Sequence, residues 1–301
     1  MMTAATPANP ATPAIRAGRL TGTRTANRRN RTDRTMRLIA ALAAVACVVP
    51  LAAVLVFVTL NGISALNLDL LTKPSRAQGI GGGAAAAILG SIQMVVVATA
   101  IAIPFGVLAG VYVREFASAR AARAVRFAAD VMVGIPSILI GIFIFTVLVL
   151  PFKQYNAFAG SVALAVIMVP VIMRTTEEIL KLVPNSLREA SLALGIPAWR
   201  TVLSVVIRTG LPGILTGVML AVARAAGETA PLLFTALGSR FVNVGDFSKP
   251  MDALPLFIYI NARQPFELQN QQAWGAAFLL LLFVLVVNVL VRARTAGRRA
   301  Q

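Results

Sequence analysis

Long apolar runs separated by short polar gaps organise the chain. Runs of membrane length fall at Leu38–Leu60, Ala84–Val113, Phe127–Leu150, Phe158–Met173, Gly213–Leu237 and Ala273–Val291, close to the roughly 20 apolar residues that an α-helix needs to cross the hydrocarbon core. The pattern predicts an all-α polytopic membrane protein with six transmembrane helices. Six crossings place both termini on one side. The N-terminal tail, "REFASARAARAVR", the stretch from Arg174 to Pro212 and the "RARTAGRR" tail carry 21 of the 28 Lys and Arg, against 6 in the three opposite loops and Arg224 within a run. By the positive-inside rule both termini are expected in the cytoplasm. Pro104, Pro136, Pro170 and Pro231 fall within or at the edges of runs, where a missing backbone donor bends a helix.

Composition agrees with this picture and narrows the chemistry. The residues are 58% hydrophobic and 13% charged with mean hydropathy +0.80, more apolar surface than a soluble domain of 301 residues can hide. The net charge of +17 sits in the gaps between runs, which reads as topology and a lipid surroundings rather than nucleic-acid binding. With Cys47 the single cysteine and no histidine, disulfides, zinc sites and His-dependent acid/base catalysis drop out. "GIGGGAAAAILGS" lacks the Lys-Ser/Thr of a nucleotide loop, and Gly90 within it reads as a helix-packing position. Residues 1–37 read as a basic disordered cytoplasmic tail, 38–60 as the first transmembrane helix, 80–291 as one membrane domain, and 292–301 as a second basic tail.

The stretch 174–212 is too charged for lipid and too periodic for a slack connection, so it is expected to fold as a cytoplasmic loop. Ser186 and Glu189 have the spacing of a capping box, and Gly195 followed by Pro197 predicts a left-handed stop. The short helix between them would place Leu187, Ala190, Ser191 and Leu194 along one side and needs a partner surface. The run "EASLALG", with Leu211–Pro212 following after 15 residues, resembles the coupling loop of membrane subunits of ATP-binding cassette importers. Glu189, Ala190, Ser191 and Gly195 match that motif, a serine standing where the second alanine is usual. The resemblance spans nearly all of 80–291, and "ARAAGETAPLL" with "VIMRTTEEIL" narrows it to phosphate-importer permeases of the PstA type. It implies a type I (MetI-like) importer fold with a core of five spans and a coupling helix that docks on an ATPase. It also implies a related permease of the PstC type, two ATPase subunits of the PstB type and a PstS-type extracytoplasmic binding protein. No cofactor is expected on this chain; ATP and magnesium belong to the ATPase.

Arg224, Glu228 and Pro231 stand inside the fifth run. If that helix starts near Pro212, Arg224 lies roughly 18 Å along it, at a depth where a lone arginine costs about 2.5–3.5 kcal/mol on insertion scales. Glu228, four residues on, shares its face. Pro231 cannot donate to the carbonyl of Gly227, so Gly227 and Pro231 mark an expected bend. Spacing alone leaves two readings, an ion pair that locks helices or a polar step on a pathway. The resemblance favours the second, with Arg224 offering a two-donor guanidinium to an oxyanion, Glu228 competing for it, Thr229 adding a hydroxyl and Arg174 as a further pathway residue. Molybdate or sulfate in place of phosphate, or an ion-coupled carrier, remain the rival readings.

Overall fold

The computed structural model describes residues 24–76 and 80–296, with side chains over 29–76 and 80–289. Among the described residues twelve helices follow one another: α1 (Arg24–Ala65), α2 (Leu68–Thr72), α3 (Ala85–Val111), α4 (Ala119–Gly134), α5 (Ser137–Ile144), α6 (Ala157–Leu182), α7 (Asn185–Ala193), α8 (Ala198–Thr201), α9 (Ile207–Ala226), α10 (Ala230–Thr235), α11 (Leu254–Asn261) and α12 (Glu267–Ala296). π-helical turns extend α3 and α5 and join α8 to α9. Among the described residues the remaining ladder contacts are two isolated bridges, Ser75 with Gly82 and Leu237 with Met251. Among the described residues five helices are long and apolar enough to cross a membrane, and α4 with α5 makes a sixth if that pair, bent by 99°, is one span.

The chain divides into two units at Val56–Phe57. In the first, α1 begins at Arg24, so the described part of the expected disordered tail, residues 24–37, is helical; residues 1–23 lie outside the described residues. Arg and Ala are strong helix formers, and elongating an existing helix costs far less than nucleating one. Side chains 29–56 are exposed throughout, as an apolar helix facing lipid would be.

The second unit is built around α3 and α6. Gly106 and Gly110 let them touch: a Cβ on Gly106 would stand 2.7 Å from the Ile172 Cβ, and one on Gly110 2.7 Å from the Met173 carbonyl oxygen. Small residues at such contacts are how helices approach closely where no hydrophobic drive separates lipid from protein. Met94, Leu164, Met168, Ile172 and Leu180 fill the core beside them. α9 runs against α6, with Gly210 next to Leu180 and Gly217 next to Thr175.

Three expected boundaries move. α6 continues to Leu182, and the next long helix has already begun at Ala198. The stretch 174–212 is therefore mostly helical, made of the end of α6, α7 and the beginning of the next long helix. "RTTEEILK" reads as solvent-facing, yet Thr176 and Glu177 are buried against neighbouring helices. The third run breaks at Ile135–Pro136 because a residue before proline is driven out of the helical region; Ile135 has ψ 129°. Gly90, as expected, is a packing position, since its Cβ would overlap the Asp252 carbonyl.

The close α3–α6 contact yields a direct test. Gly110→Val should lower the thermal unfolding midpoint in detergent, at the cost of about 1–3 kcal/mol typical of overpacking. Gly134→Ala, where an added Cβ meets nothing within 4 Å, should leave that midpoint unchanged.

Candidate functional site

The fifth span is interrupted where the sequence places its charges. α9 ends at Ala226; the amides of Gly227 and Glu228 bond back to the carbonyls of Arg224 and Ala225 at 3.1 and 3.2 Å, and α10 starts at Ala230. Arg224 and Glu228 meet across this turn, Nε to Oε1 3.6 Å, with side chains 47% and 17% exposed. That separation is an ion pair without a hydrogen bond, so the guanidinium keeps its donors free for another acceptor. Its place in the last turn of α9 also suits a cation at the negative end of the helix dipole.

The span starts at Ala198 rather than Pro212, so the depth of Arg224 follows from packing. Gly210 lies beside Leu180 and Gly217 beside Thr175; continuing that register for another seven residues brings Arg224 level with the Met168–Pro170 turn, near the middle of α6.

The bend has a different cause from the one expected. Gly227 has φ −95°, accessible to any residue, and a Cβ there would meet only a carbonyl at 3.7 Å. Pro231 lies in the first turn of α10, where a missing N–H costs nothing. The break is stabilised by packing: Pro231 is buried, and a Cβ on Gly141 of α5 would stand 2.6 Å from the Pro231 Cα. Thr229 is the N-cap of α10, half-buried, and makes no capping bond with its side chain.

Arg174 is engaged elsewhere. Its guanidinium pairs with Asp130 of α4 and lies 3.8 Å from Glu177, itself 1% exposed. Arg126 and Lys181 reach Glu177 at 2.8 and 2.6 Å. One buried carboxylate thus gathers three cations from α4 and α6, and the pairing compensates the cost of burying its charge. Arg126, Asp130 and Glu177 were not singled out from the sequence. The i, i+3 and i+4 spacing of Arg174, Glu177 and Lys181 was a readable signal for part of the cluster.

The expected coupling helix starts two residues earlier than the capping box predicts. Pro184 caps α7, and Ser186 lies inside the helix without capping it; the fixed φ of proline pre-sets the first turn. Gly195 has φ +78° and ends it as expected. Leu187, Ala190, Leu194 and Glu189 are exposed, while Ser191 is buried with its hydroxyl 2.9 Å from that of Thr201. The four residues expected on one side are thus split. The helix is held by Arg188, which grips Glu115 with two bonds, 2.7 Å from Nη2 and 3.2 Å from Nε, and donates to the carbonyls of Val183 and Leu180 at 2.7 and 3.0 Å. Glu115 belongs to the π-helical turn closing α3, so one arginine joins α7 to both core helices.

Solved structures share this architecture. A MetNI methionine ABC transporter in an inward-facing conformation superposes with TM-score 0.59 at 19% identity, covering 71% of this chain and 94% of that one; an amino acid ABC transporter gives 0.53 at 14%, over 71% and 92%. Residues 102–294 match the family model described as binding-protein-dependent transport system inner membrane component. Fold and family model together define a class, the membrane component of such a transport system. The phosphate transport system permease protein PstA of Pasteurella multocida is 45% identical over 77% of this chain and 82% of its own length. That of Mycobacterium leprae is 41% identical over 80% and 81%. The chain belongs to the binding-protein-dependent transport system inner membrane components, in their PstA branch.

The Arg188 clamp generates a prediction. Arg188→Met leaves Glu115 and two carbonyls without their donor and should cost about 3–5 kcal/mol of local stability. Hydrogen exchange at the α7 amides should accelerate sharply, and adding Glu115→Gln should cause less further change than it does alone.

Proposed function

We propose that this chain is the permease subunit of an ATP-binding cassette importer that moves inorganic phosphate into the cytoplasm by alternating access. The observation that carries the reading is the 40–45% identity, over about three quarters of the chain, to proteins named for phosphate transport. The sequence has no nucleotide loop, so hydrolysis falls to a partner ATPase carrying ATP and magnesium. The remaining partners are a PstC-type permease, two PstB-type ATPases and a PstS-type binding protein. Both termini lie in the cytoplasm, with the α7 end of the bundle facing the ATPases.

In this scheme ATPase closure moves α7, and the Arg188–Glu115 clamp passes the motion into α3 and α6 as a unit. Glu189, Ala190, Leu187 and Leu194 present the docking surface, with Ser191 and Gly195 shaping the helix behind it. Arg224 meets the anion at the break in the fifth span. Glu228 neutralises Arg224 between transport events and competes with phosphate for it, so the anion is released rather than trapped. Thr229 borders the same turn, and Arg174 lies one to two turns nearer the cytoplasm, its counter-charges already supplied by Asp130 and Glu177.

Labelled phosphate uptake into proteoliposomes holding permease pair, ATPases and binding protein tests this. Uptake should require ATP and resist competition by sulfate or molybdate; ATP-independent uptake would mark a carrier, and equal competition another oxyanion. Arg224→Gln should reduce uptake at least about tenfold, the worth of one charge-assisted contact, while still copurifying with the ATPase. Normal uptake by that variant would remove Arg224 from the pathway.

A further inference from the structure

At the end of the bundle opposite α7, the segment after α2, the loop after α10, α11 and α12 line a half-open cavity of about 220 Å³. Under the topology proposed above this is the extracytoplasmic end. Its walls carry Arg76, Arg240, Asp252, Asn261, Gln264 and Gln269. Arg76 and Arg240 are exposed at the rim, and neither is ion-paired among the described residues. Asp252 and Gln269 are 6% and 3% exposed. The Gln269 side-chain oxygen is buried without a hydrogen-bond partner. Asp252 accepts from the amide of Ala253 through Oδ1, and no other side-chain bond satisfies it among the described residues.

Asp252, 6% exposed and accepting only from the Ala253 amide, keeps lone pairs free, and a buried polar atom left unpaired costs about 1–3 kcal/mol. The two guanidiniums call for an anion, whereas the Asp252 carboxyl calls for a donor. An anion carrying its own proton meets both requirements. We propose that this cavity is an entry site for a protonated tetrahedral oxyanion, hydrogen phosphate, held by Arg76 and Arg240 and read by Asp252. The inference rests on the phosphate reading above and adds to it a second, outer site that discriminates between oxyanions. Sulfate has no proton at neutral pH and would leave an ionised Asp252 without a donor; an ionised lipid phosphodiester likewise has none to give.

Burial pushes the Asp252 carboxyl up to about 7, against the lowering effect of the Ala253 amide. The other charged groups lining the cavity are Arg76 and Arg240; α11, the turn after it and α12 contribute the amides Asn261, Gln264 and Gln269. One proton is therefore available near neutral pH, carried by Asp252 or by phosphate and shared between them. As pH rises through about 7, Asp252 becomes a second anion facing the first, and affinity falls.

Binding of radiolabelled inorganic phosphate to the assembled transporter, without its binding protein and in phosphatidylcholine nanodiscs, tests the site. Arg240→Gln should weaken binding roughly tenfold. Asp252→Asn, which substitutes a fixed amide, should flatten the pH dependence relative to the unsubstituted protein and let sulfate compete. Copurification with the ATPase controls for folding. Unchanged affinity in Arg240→Gln and Asp252→Asn, in a transporter that takes up phosphate, would overturn the cavity assignment alone. Absence of phosphate uptake by the unsubstituted transporter would overturn the parent reading and this site with it. Displacement by phosphatidic acid in the nanodisc, with no effect of the variants on inorganic phosphate, would make the occupant a lipid headgroup and also overturn the proposal.

Discussion

Within a bilayer a helix can be interrupted only where protein covers the freed backbone groups, and the rest of this structure depends on how the chain meets that constraint. It breaks two spans, at Ile135–Pro136 and at Gly227–Thr229, and packs the segments beyond the breaks, α5 and α10, on each other through Gly141 and Pro231. The Arg224–Glu228 pair stands at the second break, level with the middle of α6. Beside it, α3 and α6 are packed closely through Gly106 and Gly110.

Charge is used in three ways along the length of the molecule. Near the α7 end of α6, Glu177 gathers Arg126, Arg174 and Lys181, and the Arg188–Glu115 grip fixes α7; these pairs hold elements together. At mid-depth the Arg224–Glu228 pair is loose, at 3.6 Å. At the far end Arg76 and Arg240 are unpaired among the described residues, above a buried Asp252. Among these named guanidiniums, Arg126, Arg174 and Arg188 are committed to carboxylates, Arg224 is shared loosely and Arg76 and Arg240 are free of them.

Much of this was legible in the sequence, because hydrophobic run length and basic-residue bias report directly on spans. The pairing of Arg224 with Glu228 followed from i, i+4 spacing, and the stop at Gly195 from its sequence context. What stayed hidden depends on tertiary contact. Arg188 and Glu115 are 73 residues apart, Glu177 is polar by type and buried only by its partners, and Asp252 sits in a loop whose cover comes from α3 and α11. Ser186 misled because the capping-box spacing is local, while Pro184 two residues earlier had already set the helix start. Gly227 misled similarly: the bend is stabilised by Gly141 against Pro231, a contact between distant segments.

The central claim is that the break at Arg224–Glu228 lies on a path opened to one side at a time. With Cys47→Ser removing the native thiol, Thr229→Cys places a reporter in that break, and an impermeant thiol reagent can be offered from either face of proteoliposomes holding the assembled transporter. The account predicts labelling from the cytoplasmic face in the nucleotide-free state and from the opposite face when the ATPases are trapped closed. Labelling from both faces in one state, or from neither face in any state, would contradict it.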